Sequence, residues 1–181
     1  MKRLLGILLV IVGIIVLLLI VALFMRKNHF VKCEIVIDAP RQKVFDYIKL
    51  LKNQDHFNTG AMRGADRKRE YKGMDGTVGF IYSWSGDKDA GEGEKEIMDL
   101  VEGKKMEAEI RFIKPMRTSS RIIMELESIN DAQTKVSWSN SGVLSYPVNF
   151  MIPLFEKMFP KEMNSSLVLL KEILEKKDNS F

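Results

Sequence analysis

The chain has 181 residues, 46% of them hydrophobic, and 28 Lys and Arg stand against 24 Asp and Glu. The net charge of +4 belongs to Lys2, Arg3, Arg26 and Lys27, which flank one apolar segment. The remainder is formally neutral, so no global field holds a nucleic acid. The single cysteine, Cys33, excludes an intramolecular disulfide and a zinc cluster of paired cysteines.

Residues 4–25 form an apolar run without a charge, interrupted only by Gly6 and Gly13. At about 1.5 Å per residue such a helix reaches roughly 30 Å, the thickness of a bilayer's hydrocarbon core. The apolar region of a cleaved signal peptide is shorter, about 7–15 residues, and ends in small residues. This run ends Leu23-Phe24-Met25 and passes directly into Arg26-Lys27-Asn28-His29. It is read as a single-pass membrane anchor over 1–27, followed by one domain over 28–181 that is large enough for its own core. Basic residues at both ends suit anionic headgroups and leave the side of the membrane open.

After a short linker over 26–30, alternation predicts a first strand over 30–37. It contains Cys33, whose thiol reads as buried and inert. Asp38 then caps a helix and Pro40 sits in its first turn. Val44, Tyr47, Ile48 and Leu51 recur at helical spacing, giving a short amphipathic helix over 40–51. Residues 53–64 are polar and irregular, with room for one helical turn. Candidate strands follow over 66–72, 77–84, 92–101, 104–112, 119–128 and 134–143, separated by Gly, Asn, Asp and Pro turns. The basic patch over 63–72 includes Asp66 and Glu70 and reads as a solvated strand.

Four of these strands alternate cleanly. Val78, Phe80, Tyr82 and Trp84 share one face, as do Met106, Ala108, Ile110 and Phe112 opposite Lys105, Glu107, Glu109 and Arg111. Ile122, Met124 and Leu126 face inward with Val136 and Trp138. One apolar and one charged face per strand predicts an antiparallel sheet with one face in solvent. Helical periodicity returns after Pro147 through Met151, Phe155, Met158 and Phe159 to Met163, Leu167, Leu170 and Leu174. Pro153 and Pro160 are expected to divide it into a short helix and a longer one over about 161–177. The predicted class is α+β: a seven-stranded antiparallel sheet wrapped around a long C-terminal helix, preceded by one transmembrane helix. Helix and sheet cannot interdigitate along a whole curve, so a cavity is expected between them.

In this order the elements resemble the SRPBCC superfamily (START/birch-pollen-allergen-like), with the helix-grip fold, and within it the polyketide cyclase/dehydrase-like group. The resemblance rests on Ile35-Val36-Ile37-Asp38-Ala39-Pro40 followed by Val44-Phe45-Asp46-Tyr47-Ile48. It also rests on the glycines of 73–79, on Tyr82-Ser83-Trp84-Ser85-Gly86, on Gly91-Glu92-Gly93-Glu94 with Ile97, and on Val136-Ser137-Trp138-Ser139 with Gly142. It covers about residues 31–174. The Trp usual in the loop after the first helix is replaced by Asn53-Gln54-Asp55-His56-Phe57. The resemblance implies a hydrophobic ligand pocket and does not imply catalysis.

Chemistry is sparse. The two histidines, His29 and His56, lack a metal-ligand spacing, no serine sits in a G-x-S-x-G elbow, and the glycine pairs do not open a helix as a dinucleotide loop does. No metal or cofactor is implied. Glu94 is the best polar candidate for an acid or base. Glu92, Glu94 and Glu96 share one side of their strand, and solvent is expected to hold them. Methionine is frequent after the anchor; Met98, Met106, Met124, Met151, Met158 and Met163 fall on inward faces, which suits an adaptable pocket or a loosely packed core. The expected ligand-binding set is Phe80, Tyr82, Trp84, Met106, Ile110, Phe112, Met124, Trp138, Met151, Phe155, Met163 and Leu167. The expected partner is a hydrophobic small molecule or lipid, with membrane contact through residues 4–25. The alternatives are a cyclase- or dehydratase-like enzyme using Glu94 or Tyr82, and an interaction domain whose cavity is filled by its own side chains.

Overall fold

The computed structural model describes residues 2–62, 67–86 and 91–176. Helix α1 (Lys2–Phe24) stands away from the rest of the chain; nearly all its side chains are exposed, and Arg3–Phe24 is long and apolar enough to cross a membrane. Strand β1 (Asn28–Ile37) begins two residues earlier than the alternation predicts, which leaves only Met25, Arg26 and Lys27 between helix and sheet. The joint is built. Fully buried Asn149 donates through Nδ2 to the carbonyls of Ala22 (2.7 Å) and Met25 (3.0 Å). It thereby satisfies carbonyls that the end of a helix leaves without an intrahelical donor. Arg26 also pairs with Glu156, and Leu144 N donates to Lys27 O.

Helix α2 (Arg41–Ile48) buries Val44, Phe45 and Ile48, but Pro40 occupies its N-cap position and no side chain caps it. Asp38, expected as the cap, instead accepts from Gln133 Nε2. A 3-10 turn (Leu51–Asn53) and two single-turn helices, α3 (Gln54–Phe57) and α4 (Thr59–Met62), follow. Six strands complete the sheet: β2 (Lys68–Lys72), β3 (Ile81–Ser85), β4 (Glu92–Val101), β5 (Lys105–Lys114), β6 (Thr118–Asn130) and β7 (Gln133–Val143). The strand order is β1-β7-β6-β5-β4-β3-β2, antiparallel throughout. A second 3-10 turn (Val148–Met151) leads into helix α5 (Ile152–Glu175), which lies along β1 and buries Met163, Leu167, Leu170 and Leu174.

Three expectations are corrected. Strand β3 begins at Ile81, not residue 77, because residues 77–79 turn over at a glycine with φ +85°, and Val78 is left 61% exposed. Met98 is 44% exposed because a bulge between Ile97 and Asp99 inserts it as an unpaired residue, which re-aims the strand. Residues 152–175 form one helix: Pro153 falls in its first turn, where the missing N–H costs nothing, and Pro160 is carried inside it. Met158 consequently points outward. The first four residues of the basic patch over 63–72 lie outside the described residues.

Candidate functional site

The register sorts the inward side chains into rows across the sheet. From the middle of the sheet toward the far end, Cys33, Trp138, Met124 and Met106 form one row, and Ile35, Val136 and Leu126 the next. Helix α5 runs from the anchor end to this far end, where Asp38 N donates to Glu175 and Lys43 to Leu174 O. There α2 and the last turns of α5 close over the sheet, and Met106, Met124, Val136, Leu170 and Phe45 are buried. The Cys33 thiol belongs to this packed region. It faces Pro160 O at 3.7 Å, and burial pushes its pKa up, as for an unreactive thiol.

The rows nearer the anchor are hollow. A cavity of about 330 Å³ lies between the sheet and α5, with α3 and α4 beside it. Trp84, Ile110, Phe112, Ile122 and Trp138 wall it from the sheet, and Phe159, Met163 and Ser166 from α5. Gly93 is required here: a Cβ would stand 2.5 Å from the Trp84 ring and 2.7 Å from Arg111 O. Trp84 therefore lies across that glycine and meets Phe112 edge-on at 5.8 Å. Trp138 meets Phe57 edge-on at 6.3 Å, and its Nε1 is buried without a partner. Such an N–H normally finds an acceptor when buried.

Of the expected ligand-binding residues, Tyr82, Trp84, Ile110, Phe112, Trp138 and Met163 line this space. Phe80, Met106, Met124 and Leu167 instead fill the packed core. Met151 sits in the 3-10 turn before α5, and Phe155 stacks edge-on against Phe159 one turn along the helix, neither on the cavity wall.

The polar lining went largely unforeseen. Lys95 lies inward between Tyr82 of β3 and Ile110 of β5, only 6% exposed. Its Nζ donates to Gln54 Oε1 at 2.5 Å, and burial lowers its pKa to about 8. Arg67 is 8% exposed, lies 6.0 Å over the Trp84 ring, and has a buried Nε without a partner. Asn58, Gly60, Asn140 and Glu162 complete the wall, and Asn140 Oδ1 lies 3.0 Å from His29 Nε2. The signal for Lys95 was present in the alternation: if Glu94 and Glu96 face out, Lys95 faces in.

The two candidate acid-base groups are both engaged. Glu94 and Glu96, with Glu109 of the next strand, converge on the Arg111 guanidinium at 2.6–2.7 Å, so a cation on the outer face holds them rather than solvent alone. Glu94 therefore faces away from Trp84. The Tyr82 hydroxyl donates to Asp55 at 2.8 Å and accepts from Arg69 Nε at 3.2 Å. Burial, followed by the Asp55 carboxylate, pushes its pKa up to about 12.

No family model matches the chain, and no curated protein matches it. Solved structures do. A truncated norcoclaurine synthase from Thalictrum flavum aligns with TM-score 0.61 at 15% identity, over 83% of this chain and 96% of its own. The Aha1 dimer from Colwellia psychrerythraea aligns at 0.54 with 17% identity, covering 83% and 98%. A protein from Chromobacterium violaceum gives 0.58 at 13% identity, covering 82% and 99%. This is the helix-grip fold. At such identities the likeness carries the architecture and nothing of the activity.

Proposed function

We propose that this chain is a membrane-anchored member of the SRPBCC superfamily, similar to its polyketide cyclase-like group, that holds a hydrophobic small molecule or lipid in the cavity under α5. The observation that carries the reading is the cavity itself. Its volume falls within the range of small-molecule sites, about 300–1,000 Å³, its walls are mainly aromatic and aliphatic, and Trp138 Nε1 is left without an acceptor. Burying apolar surface there stabilises a complex by about 25 cal/mol per Å² before the costs of association. An interaction domain whose cavity is filled by its own side chains would not leave this space.

The position of the hollow supports the membrane reading. Residues 1–27 are the anchor and 28–181 the binding domain. Three linker residues span at most about 10 Å, so the sheet end bearing β1's first residues stands at the bilayer surface. The cavity occupies the same end, marked by Trp84 and Phe112. Around it Phe30, Val143, Tyr146, Phe150 and Leu154 are exposed, and Ile113 and Met116 flank the neighbouring β5–β6 turn. An exposed apolar group of this kind suits the headgroup region. A ligand dissolved in the bilayer then has a short path into the pocket.

The test is native mass spectrometry of the full chain extracted in an uncharged detergent, followed by analysis of what is released. A stoichiometric apolar molecule is expected; a protein that is empty in every preparation, and stays empty with added lipid, overturns the reading.

A further inference from the structure

Resting on that reading, we propose that the cavity selects an amphiphile with a singly charged acidic head, a long-chain carboxylate, seated on Lys95 and Arg67 with its chain against the aromatic wall. The polar atoms in the wall are unusual in kind. Lys95 Nζ has one acceptor, the neutral Gln54 Oε1, and among the described residues no carboxylate lies within ion-pair distance of it. Among the described residues Arg67 makes one long bond, from Nη2 to Gly60 O at 3.4 Å, and its buried Nε–H has no acceptor. Trp138 Nε1 is a third donor without an acceptor.

A buried ammonium without a counter-charge is costly, and so is each unpaired buried N–H. Three such donors around one space lack a common acceptor. A carboxylate is an acceptor-only group with two oxygens and several lone pairs, and it pairs with guanidinium and ammonium alike. The charges also count toward one anion. Lys95 and Arg67 face the cavity, with the Glu162 carboxylate in the wall near Gly60. Asp55, behind Tyr82, is committed to Arg69 at 3.0 Å. Among the described residues that leaves one positive charge in excess, which a carboxylate neutralises. Asp55 favours the charge on Lys95 more than Arg67 opposes it, but Asp55 is shared with Arg69, so an anion seated on Lys95 and Arg67 supplies the direct counter-charge that neither has among the described residues.

The experiment titrates the full chain in uncharged detergent with myristic acid and, separately, with myristyl alcohol, which has the same chain and no charge, and reads both complexes by native mass spectrometry. The acid is expected to bind at least about tenfold tighter than the alcohol, as a charge-assisted pair implies. K95M is expected to lose most of the acid's advantage over the alcohol while alcohol binding persists, which also shows that the variant is folded. R67Q should lose part of the preference. Equal binding of acid and alcohol to the wild type overturns the proposal and leaves the hydrophobic pocket standing, as does an acid preference that survives K95M combined with R67Q. Binding of neither probe overturns the pocket reading and this inference with it. If K95M fails to fold, the wild-type ratio and R67Q still decide.

Discussion

The two ends of the sheet use similar inward side chains and pack differently. At the far end Met106, Met124, Leu126 and Val136 meet α2 and the last turns of α5, and all four are buried; the space that Leu126 borders there, with Arg41 and Lys104, is an open surface groove rather than an interior hollow. At the anchor end Trp84, Ile110, Phe112 and Ile122 border an open space of about 330 Å³. The difference lies in the cover rather than in the sheet. An amphipathic helix, α2, closes the far end with Val44, Phe45 and Ile48. Among the described residues, the elements beside the cavity are the single turns α3 and α4, tied down by polar contacts: Gln54 to Lys95, Asp55 to Tyr82, and Thr59 N to Ser166 Oγ. Apolar cover fills a groove; polar struts hold one open.

The contrast can be broken by truncating one residue in each half. Met106→Ala, in the packed half, is expected to cost about 2–5 kcal/mol in urea unfolding of the full chain, because a filled site becomes a void. Ile110→Ala, on the cavity wall and half-buried, should cost roughly 1 kcal/mol, since little is left to collapse. Equal costs would mean that the anchor end is packed as well as the far end.

A second measurement sharpens the same contrast through charge. Lys95 carries its full burial penalty when it is protonated in both folded and unfolded chains, below about pH 8. Between about 8 and its ordinary 10.5 the folded chain sheds the proton first, so wild-type stability rises with pH across that window. K95M should therefore stabilise the empty protein by roughly 1–3 kcal/mol near neutral pH, less what Gln54 loses, and the gain should shrink toward pH 10.5. A gain independent of pH would remove the buried charge from the account.

At the joint, Asn149→Ala strips the end of α1 of its two side-chain hydrogen bonds. A loss of about 1–2 kcal/mol is expected. Removing residues 1–27 should leave a folded, soluble domain weakened by a similar amount, since Asn149 loses both acceptors. A truncated chain that aggregates at low concentration would make α1 part of the fold.

The fold was legible because period-two alternation is strong in the central strands and the terminal helix carries a long apolar stripe. The misreadings have local causes. Val78 continues an apolar alternation into what is a glycine turn, Met98 sits on a bulge that one strand's sequence does not reveal, and Pro160 is tolerated inside a helix whose packing outweighs one lost hydrogen bond. The site was half legible. Its aromatic wall follows from strand register, but the division between hollow and solid does not, since Met106 and Ile110 are equivalent in pattern and differ only in what lies over them. Lys95 does not stand out in the pattern because the carboxylates on either side of it make the whole stretch read as solvated, and Arg67 does not because it belongs to a basic patch whose composition reads as exposed.

The central claim is that the anchor-end cavity holds an apolar molecule, and the most direct test fills it. Ile110→Trp directs a larger ring into the space beside Trp84 and Phe112. Native mass spectrometry of the full-length wild type and variant, extracted side by side, should show a bound apolar mass on the wild type and none on the folded variant. The same bound mass on both proteins, or none on the wild type with lipid supplied, would contradict the account.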